Sequence, residues 1–164
     1  MSSQSHDGQY LTFQLAGDMY AIGILAIKEI IEYRGLTPVP MMPAFVRGVI
    51  NLRGAVVPVM DPLARFGRAS SVPGKRTCVV IVEIDGGDGE PQSVGMLVDA
   101  VSEVLEIGAA DIEPPPPFGS RIRTDFIAGM GKVRGKFVIL LAAGHVLSLD
   151  IEGLAEARAE AAVA

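Results

Sequence analysis

The stretch GVINLRGAVVPVMD, Gly48 to Asp61, is an apolar run with one interruption, Arg53-Gly54, set between Ile50-Asn51-Leu52 and Ala55-Val56-Val57. Two short apolar segments joined by two residues, the second a glycine, read as a β-hairpin. A tight hairpin turn needs positive φ, and Gly54 adopts it at little cost. That explains the glycine. The arginine is left with three readings: a turn residue, a catalytic charge, or a handle for another protein.

The same pattern occurs twice. Phe45-Val46-Arg47-Gly48 aligns with Phe126-Ile127-Ala128-Gly129, and at the same offset Leu52-Arg53-Gly54 falls on Val133-Arg134-Gly135. Upstream, Ala26-Ile27-Lys28-Glu29-Ile30-Ile31-Glu32 aligns with Ala100-Val101-Ser102-Glu103-Val104-Leu105-Glu106. The chain therefore reads as two copies of one supersecondary unit, roughly 10–69 and 76–141, with strands exchanged between them. On spacing alone Arg134 repeats Arg53 as Gly135 repeats Gly54, and both arginines read as turn residues whose charge stays in water.

Each copy reads mainly as strand. YLTFQL alternates at period two, and TCVVIVEI and SVGMLV are apolar runs bounded by turn residues. Short helical turns are expected at MPAFVRG and at DPLARFG, the latter with Asp61 as N-cap and Pro62 at the first helical position. Pro114 to Pro117 read as a stiff extended connector. Residues 1–9 read as a disordered tail, residues 10–150 as one domain of two subdomains, and residues 151–164 as a C-terminal helix. The fold class is mainly β: two pseudo-repeated five-stranded β-barrels packed together.

Composition narrows the function. Hydrophobic residues make up 49% of the 164 before the 19 glycines are counted, so the chain buries itself thoroughly or keeps apolar surface for a partner. A net charge of -5 and the absence of Trp argue against nucleic acid as the partner. No stretch reaches the roughly 18 apolar residues of a membrane span, and MSSQSHDGQ lacks the apolar core of a signal peptide. The expectation is a cytoplasmic protein, not membrane-inserted. The single cysteine, Cys78, excludes an internal disulfide and a cysteine zinc cage, and reads as a small buried hydrophobe. Two histidines, His6 and His145, and no nucleophile elbow or phosphate-cradling loop leave little for catalysis. DGGDGE, 85–90, lacks the ligand spacing of a calcium loop. The paired acids Glu29/Glu32 and Glu103/Glu106 read as solvated or partner-facing. The chain is read as no enzyme, with no cofactor and no metal.

YLTFQLAGDMYAIGILAIKEIIEY, TPVPMMPAFVRGVINLRGAVVPVMD and VGMLVDAVSEVLEI resemble the CheW-like family, the coupling proteins of bacterial chemotaxis, from about Tyr10 to Leu149. FIAGMGKVRGKFVILL resembles the second half of that family. The resemblance implies two five-stranded β-barrels on a shared apolar core. It also implies a non-catalytic adaptor that couples the cytoplasmic tips of methyl-accepting chemoreceptors to the regulatory domain of a chemotaxis histidine kinase. Homotypic ring contacts and recruitment to membrane receptor arrays follow from it as well. Receptor contacts carried over from the family fall on Ile27, Glu29, Gly48 and Arg53, while Gly54, Arg134 and Gly135 stay turn residues. Two rival readings stand beside it: a small β-barrel module for another ligand, and a coupling adaptor of a non-flagellar chemosensory pathway.

Overall fold

In a computed structural model, the structure describes residues 8–70, 72–85, 89–115 and 126–148. The first copy supplies β1 (Gln9–Leu15), β2 (Asp18–Gly23), β3 (Ile27–Glu32), β4 (Val46–Leu52), β5 (Ala55–Met60) and the one-turn helix α1 (Pro62–Arg65). The second supplies β6 (Cys78–Asp85), β7 (Pro91–Val98), β8 (Ala100–Glu106), β9 (Ile112–Glu113), β10 (Ile127–Val133), β11 (Lys136–Leu141) and α2 (Ala143–Val146). The proposed C-terminal helix and most of the N-terminal tail lie outside the described residues, and Gln9 already belongs to β1. At MPAFVRG the chain forms a turn closed by a Val46 N–H bond to the Pro43 carbonyl, not a helix. Pro43 lacks the N–H that would extend it backward.

The strands form two sheets, ordered β8-β1-β2-β11-β10-β9 and β3-β6-β7-β5-β4. The hairpin β1–β2 of the first copy lies among strands of the second, and β6–β7 of the second lies among strands of the first. Two parallel junctions make the exchange: Val59 of β5 opposes Gly95 of β7, and Leu140 of β11 opposes Ala21 of β2. Even the irregularities repeat. The register shifts between Val46 and Gly48 in one hairpin and between Ile127 and Gly129 in the other, the positions that align in sequence. The fold is mainly β as expected. One sheet has the expected five strands, and the other gains a sixth in the two-residue β9, for which the first copy has only the single bridge Thr37–Val49.

Alternation along the central strands divides the core in three. Val80 and Val82 of β6 join Phe13, Leu15, Tyr20 and Ile22 in a cluster between the sheets. Their neighbours Val79 and Ile81 point the other way, into a second cluster with Val57, Val59 and Leu97 inside the five-stranded sheet. A third cluster, Ala21, Ile107, Val138 and Leu140, fills the six-stranded sheet. Strands buried on both faces read as continuous apolar runs because neither face meets water. Small residues are required where the inner walls approach. A Cβ on Gly95 would lie 2.7 Å from Val79 Cγ1 and 3.1 Å from Val59 Cγ2.

α1 starts as its sequence dictates. Asp61 is fully buried, and its Oδ1 accepts the Leu63 N–H at 3.0 Å. Its Oδ2 accepts from Arg47 Nη1 at 2.8 Å. The capping carboxylate thus ties α1 to β4 through an ion pair that the sequence did not announce. Cys78, expected to be buried, is half-exposed at the start of β6, and burial still pushes its thiol pKa up.

Two stability predictions follow from this packing. Gly95→Ala should destabilise the fold by about 1–3 kcal/mol, read by urea denaturation, because a methyl must enter an already filled wall. Asp61→Ala should lose about 3 kcal/mol, since it removes a cap and strands part of Arg47's charge. Asp61→Asn, which can still cap, should lose less.

Candidate functional site

The Arg-Gly pair closes a two-residue turn, with Leu52 directly opposite Ala55. Arg53 has φ 51° and Gly54 φ 89°. Arg134-Gly135 and Ala16-Gly17 repeat this, with φ 52° at both first positions. Sequence reasoning gave positive φ to the glycine alone. The matched twist of a two-residue hairpin demands it at both central residues, so the arginine itself is held in a left-handed conformation that disfavours a side chain by about 1–2 kcal/mol. An exposed side-chain amide supports the turn: Asn51 Oδ1 accepts the Gly54 N–H at 2.9 Å.

From that turn Arg53 reaches β3. Its Nη1 donates to Glu29 Oε1 at 3.2 Å and its Nη2 donates to Glu29 Oε2, a forked pair. β3 aims Glu29 by means of a bulge. Ile27 opposes Val82 and Glu29 opposes Ile81, so the extra residue Lys28 shifts the strand's facing between them. Ile27 consequently packs against the cluster between the sheets, while Ile31 packs inside the five-stranded sheet. β3 and β4 are opposite edges of that sheet. Laid flat, β3 would stand at least about 14 Å from the β4–β5 turn, so the ion pair requires the sheet to curl toward closure. The second sheet does likewise: Arg134 Nη1, on the β10–β11 turn, lies 3.6 Å from Glu103 Oε2 on β8.

The two pairs are not equal. The first is a hydrogen-bonded fork, and the second approaches only to 3.6 Å. The Arg53 side chain is 70% exposed while its partner Glu29 is only 28% exposed, so a guanidinium anchored at one edge faces solvent. The fork with Glu29 uses two of five N–H donors, and the others suit a carboxylate or carbonyl oxygen. The Arg53 hydrogen bond holds the Glu29 carboxyl below the usual carboxylate range, helped by the charges of Arg53 and Lys28 against a smaller opposing effect of burial. Ile30 and Val56 lie exposed on the same two strands, as do their counterparts Val104 and Phe137 in the second copy.

The structure therefore joins Glu29 to Arg53 and sets Ile27 two residues away, half-buried. Gly48 is apart from them and buried, in the β4 bulge. A Cβ there would stand 2.5 Å from the Thr37 carbonyl oxygen, so a close backbone approach accounts for the glycine. An open cleft of about 690 Å³ runs between β3 and β4, lined by Ile31, Glu32, Arg34, Leu36 and Ile50. Sequence reasoning missed Asn51 and also missed Arg65, whose guanidinium sits 4.4 Å from the Phe45 ring centre and 5.3 Å from that of Phe126. The signal was present for the second, because Phe45 and Phe126 are the same position of the two copies.

Two curled, strand-exchanged sheets around a shared core, with charged hairpin tips, make a single β domain. Residues 9–151 match the family described as the CheW-like domain. The chain is 34% identical over 133 residues to the Chemotaxis protein CheW of Rhizobium meliloti, covering 81% of this chain and 83% of that protein. It is 32% identical over 142 residues to the Chemotaxis protein CheW of Klebsiella aerogenes, covering 87% and 82% respectively. The crystal structure of the scaffolding protein TtCheW from Thermoanaerobacter tengcongensis superimposes with a TM-score of 0.77 at 33% identity, covering 91% of this chain and 96% of that one. The chain belongs to the CheW-like family of chemotaxis scaffold proteins and is not an enzyme.

Glu29 gives the pair a measurable signature. A folded-state pKa below the unfolded value means that the pair's contribution to stability is present above about pH 4.3 and is lost as pH falls through the lowered value. Carboxyl-carbon NMR should find Glu29 titrating below the ordinary range and moving up in Arg53→Ala. A midpoint unmoved by that substitution would contradict the forked pair.

Proposed function

We propose that this chain is a chemotaxis coupling adaptor whose first-copy hairpin tip meets the cytoplasmic tips of methyl-accepting chemoreceptors, while other faces engage the regulatory domain of a histidine kinase. The observation that carries the reading is Arg53: a guanidinium exposed at 70%, yet fixed by a forked bond to a partly sheltered carboxylate. Such a group offers hydrogen bonds to a receptor helix without first having to be ordered, which lowers the entropic cost of binding. Glu29 supplies the opposite charge beside it. Ile27, packed on the shared core, fixes the strand that carries Glu29, and Gly48 acts by letting the 37–49 backbone approach close up. The receptor-contact roles of all four residues belong to this proposal.

The adaptor works without cofactor, in the cytoplasm, gathered at membrane receptor arrays. There, modest contacts with receptor, kinase and further copies of the adaptor add through avidity. Among the described residues no helix is long and apolar enough to cross a membrane, in keeping with a protein held at the membrane by its partners.

Calorimetric titration of wild type and Arg53→Glu with a receptor signalling-tip fragment, and in parallel with the kinase regulatory domain, tests this. Receptor affinity should fall at least about tenfold, equivalent to about 1.4 kcal/mol, with the melting temperature nearly unchanged. Receptor binding indifferent to the charge reversal would remove Arg53 from the site.

A further inference from the structure

Resting on the receptor-docking reading of Arg53, we propose that Asn51 is the positioning residue that presents this guanidinium to the receptor. The turn needs help. An arginine at φ 51° occupies backbone space that L side chains avoid, and in a two-residue hairpin the N–H of the second central residue has no partner in the strand ladder. Asn51 Oδ1 supplies that partner by accepting the Gly54 N–H at 2.9 Å. Asn51 is exposed, so packing does not explain an amide there. The hydrogen bond steadies the turn from which the Arg53 side chain departs, and so steadies the place where the fork to Glu29 closes.

The molecule carries its own comparison. The second copy has the same Arg-Gly turn, the same positive φ at Arg134 and the corresponding acid, Glu103. At the place of Asn51 it has Lys132, whose ammonium has no acceptor atom. There the arginine comes no nearer to the acid than 3.6 Å, in place of the hydrogen-bonded fork. The side-chain acceptor and the forked geometry occur together in one copy and are both missing from the other. The second turn keeps φ 52° without an acceptor, so the amide does not select the turn type but steadies it. Without the acceptor the Gly54 N–H loses its partner, the fork frays, and docking must reorder the guanidinium at its own expense.

The test uses the full chain as wild type, Asn51→Ala, Asn51→Asp and Arg53→Glu. It measures tip-fragment binding by calorimetry, thermal melting, and the Glu29 carboxyl titration. Asn51→Ala should weaken tip binding about five- to tenfold, leave melting within a few degrees, and move the Glu29 midpoint up toward the ordinary range. Asn51→Asp, which keeps an acceptor oxygen, should return both toward wild type. Wild-type binding by Asn51→Ala beside loss in Arg53→Glu would overturn this inference and leave the docking site standing. Loss of binding in Asn51→Ala with a parallel collapse of melting, not rescued by Asn51→Asp, would also overturn it by making Asn51 a fold residue. If Arg53→Glu itself binds normally, the docking site fails and the role of Asn51 falls with it.

Discussion

Two parallel strand junctions, Val59 against Gly95 and Leu140 against Ala21, hold the rest of the structure in place. Each grafts a hairpin of one copy into the sheet of the other. Neither copy can complete its own core. Val79, Ile81 and Leu97 of the second copy fill the sheet that carries Val57 and Val59 of the first, and Ala21 of the first enters the sheet of Val138 and Leu140. The cluster between the sheets draws on both copies too, from Phe13 and Tyr20 to Val80 and Met96. Exchange makes one folded body, with a shared core, out of two repeats.

Within that body the two copies have diverged where they meet solvent. The turn, the arginine and the opposing acid are shared, and both pairs link an edge strand of a curled sheet to a hairpin turn three strands away. Divergence lies in the surroundings. Asn51 is matched by Lys132, and Arg47 and Asp61 are matched by Ala128 and Ala142, so only the first copy has the buried ion pair that ties its helix to its hairpin. Arg65 adds to the asymmetry. It reaches over both copies of the equivalent phenylalanine, while its own counterpart is the buried Val146. The first copy is therefore the more firmly organised around its arginine.

Much of this was legible in the chain. Alternating and continuous apolar runs gave the strands, the repeat gave the pseudo-symmetry, and Asp61-Pro62 gave α1, because these are local patterns with local causes. The sixth strand was not legible, since a two-residue pairing such as β9 has no periodicity to read. Nor was the Arg53–Glu29 fork: its residues lie 24 apart, and the curl that unites them is a property of the whole sheet. Positive φ at Arg53 could have been inferred from the two-residue loop length but was assigned to Gly54 alone. Gly48 shows the opposite case. A residue taken from family resemblance as a contact has a packing reason of its own, visible only once Thr37 is seen beside it.

The most direct measurement separates what Arg53 does for the fold from what it does for a partner. Exchanging the charges, Glu29→Arg together with Arg53→Glu, keeps an ion pair between the two sheet edges but reverses its polarity toward solvent. Receptor-tip binding should stay lost in the exchanged protein while its melting temperature stays near wild type. Binding restored to the wild-type level by the exchange would show that only the internal pair matters, and would contradict a guanidinium offered to the receptor.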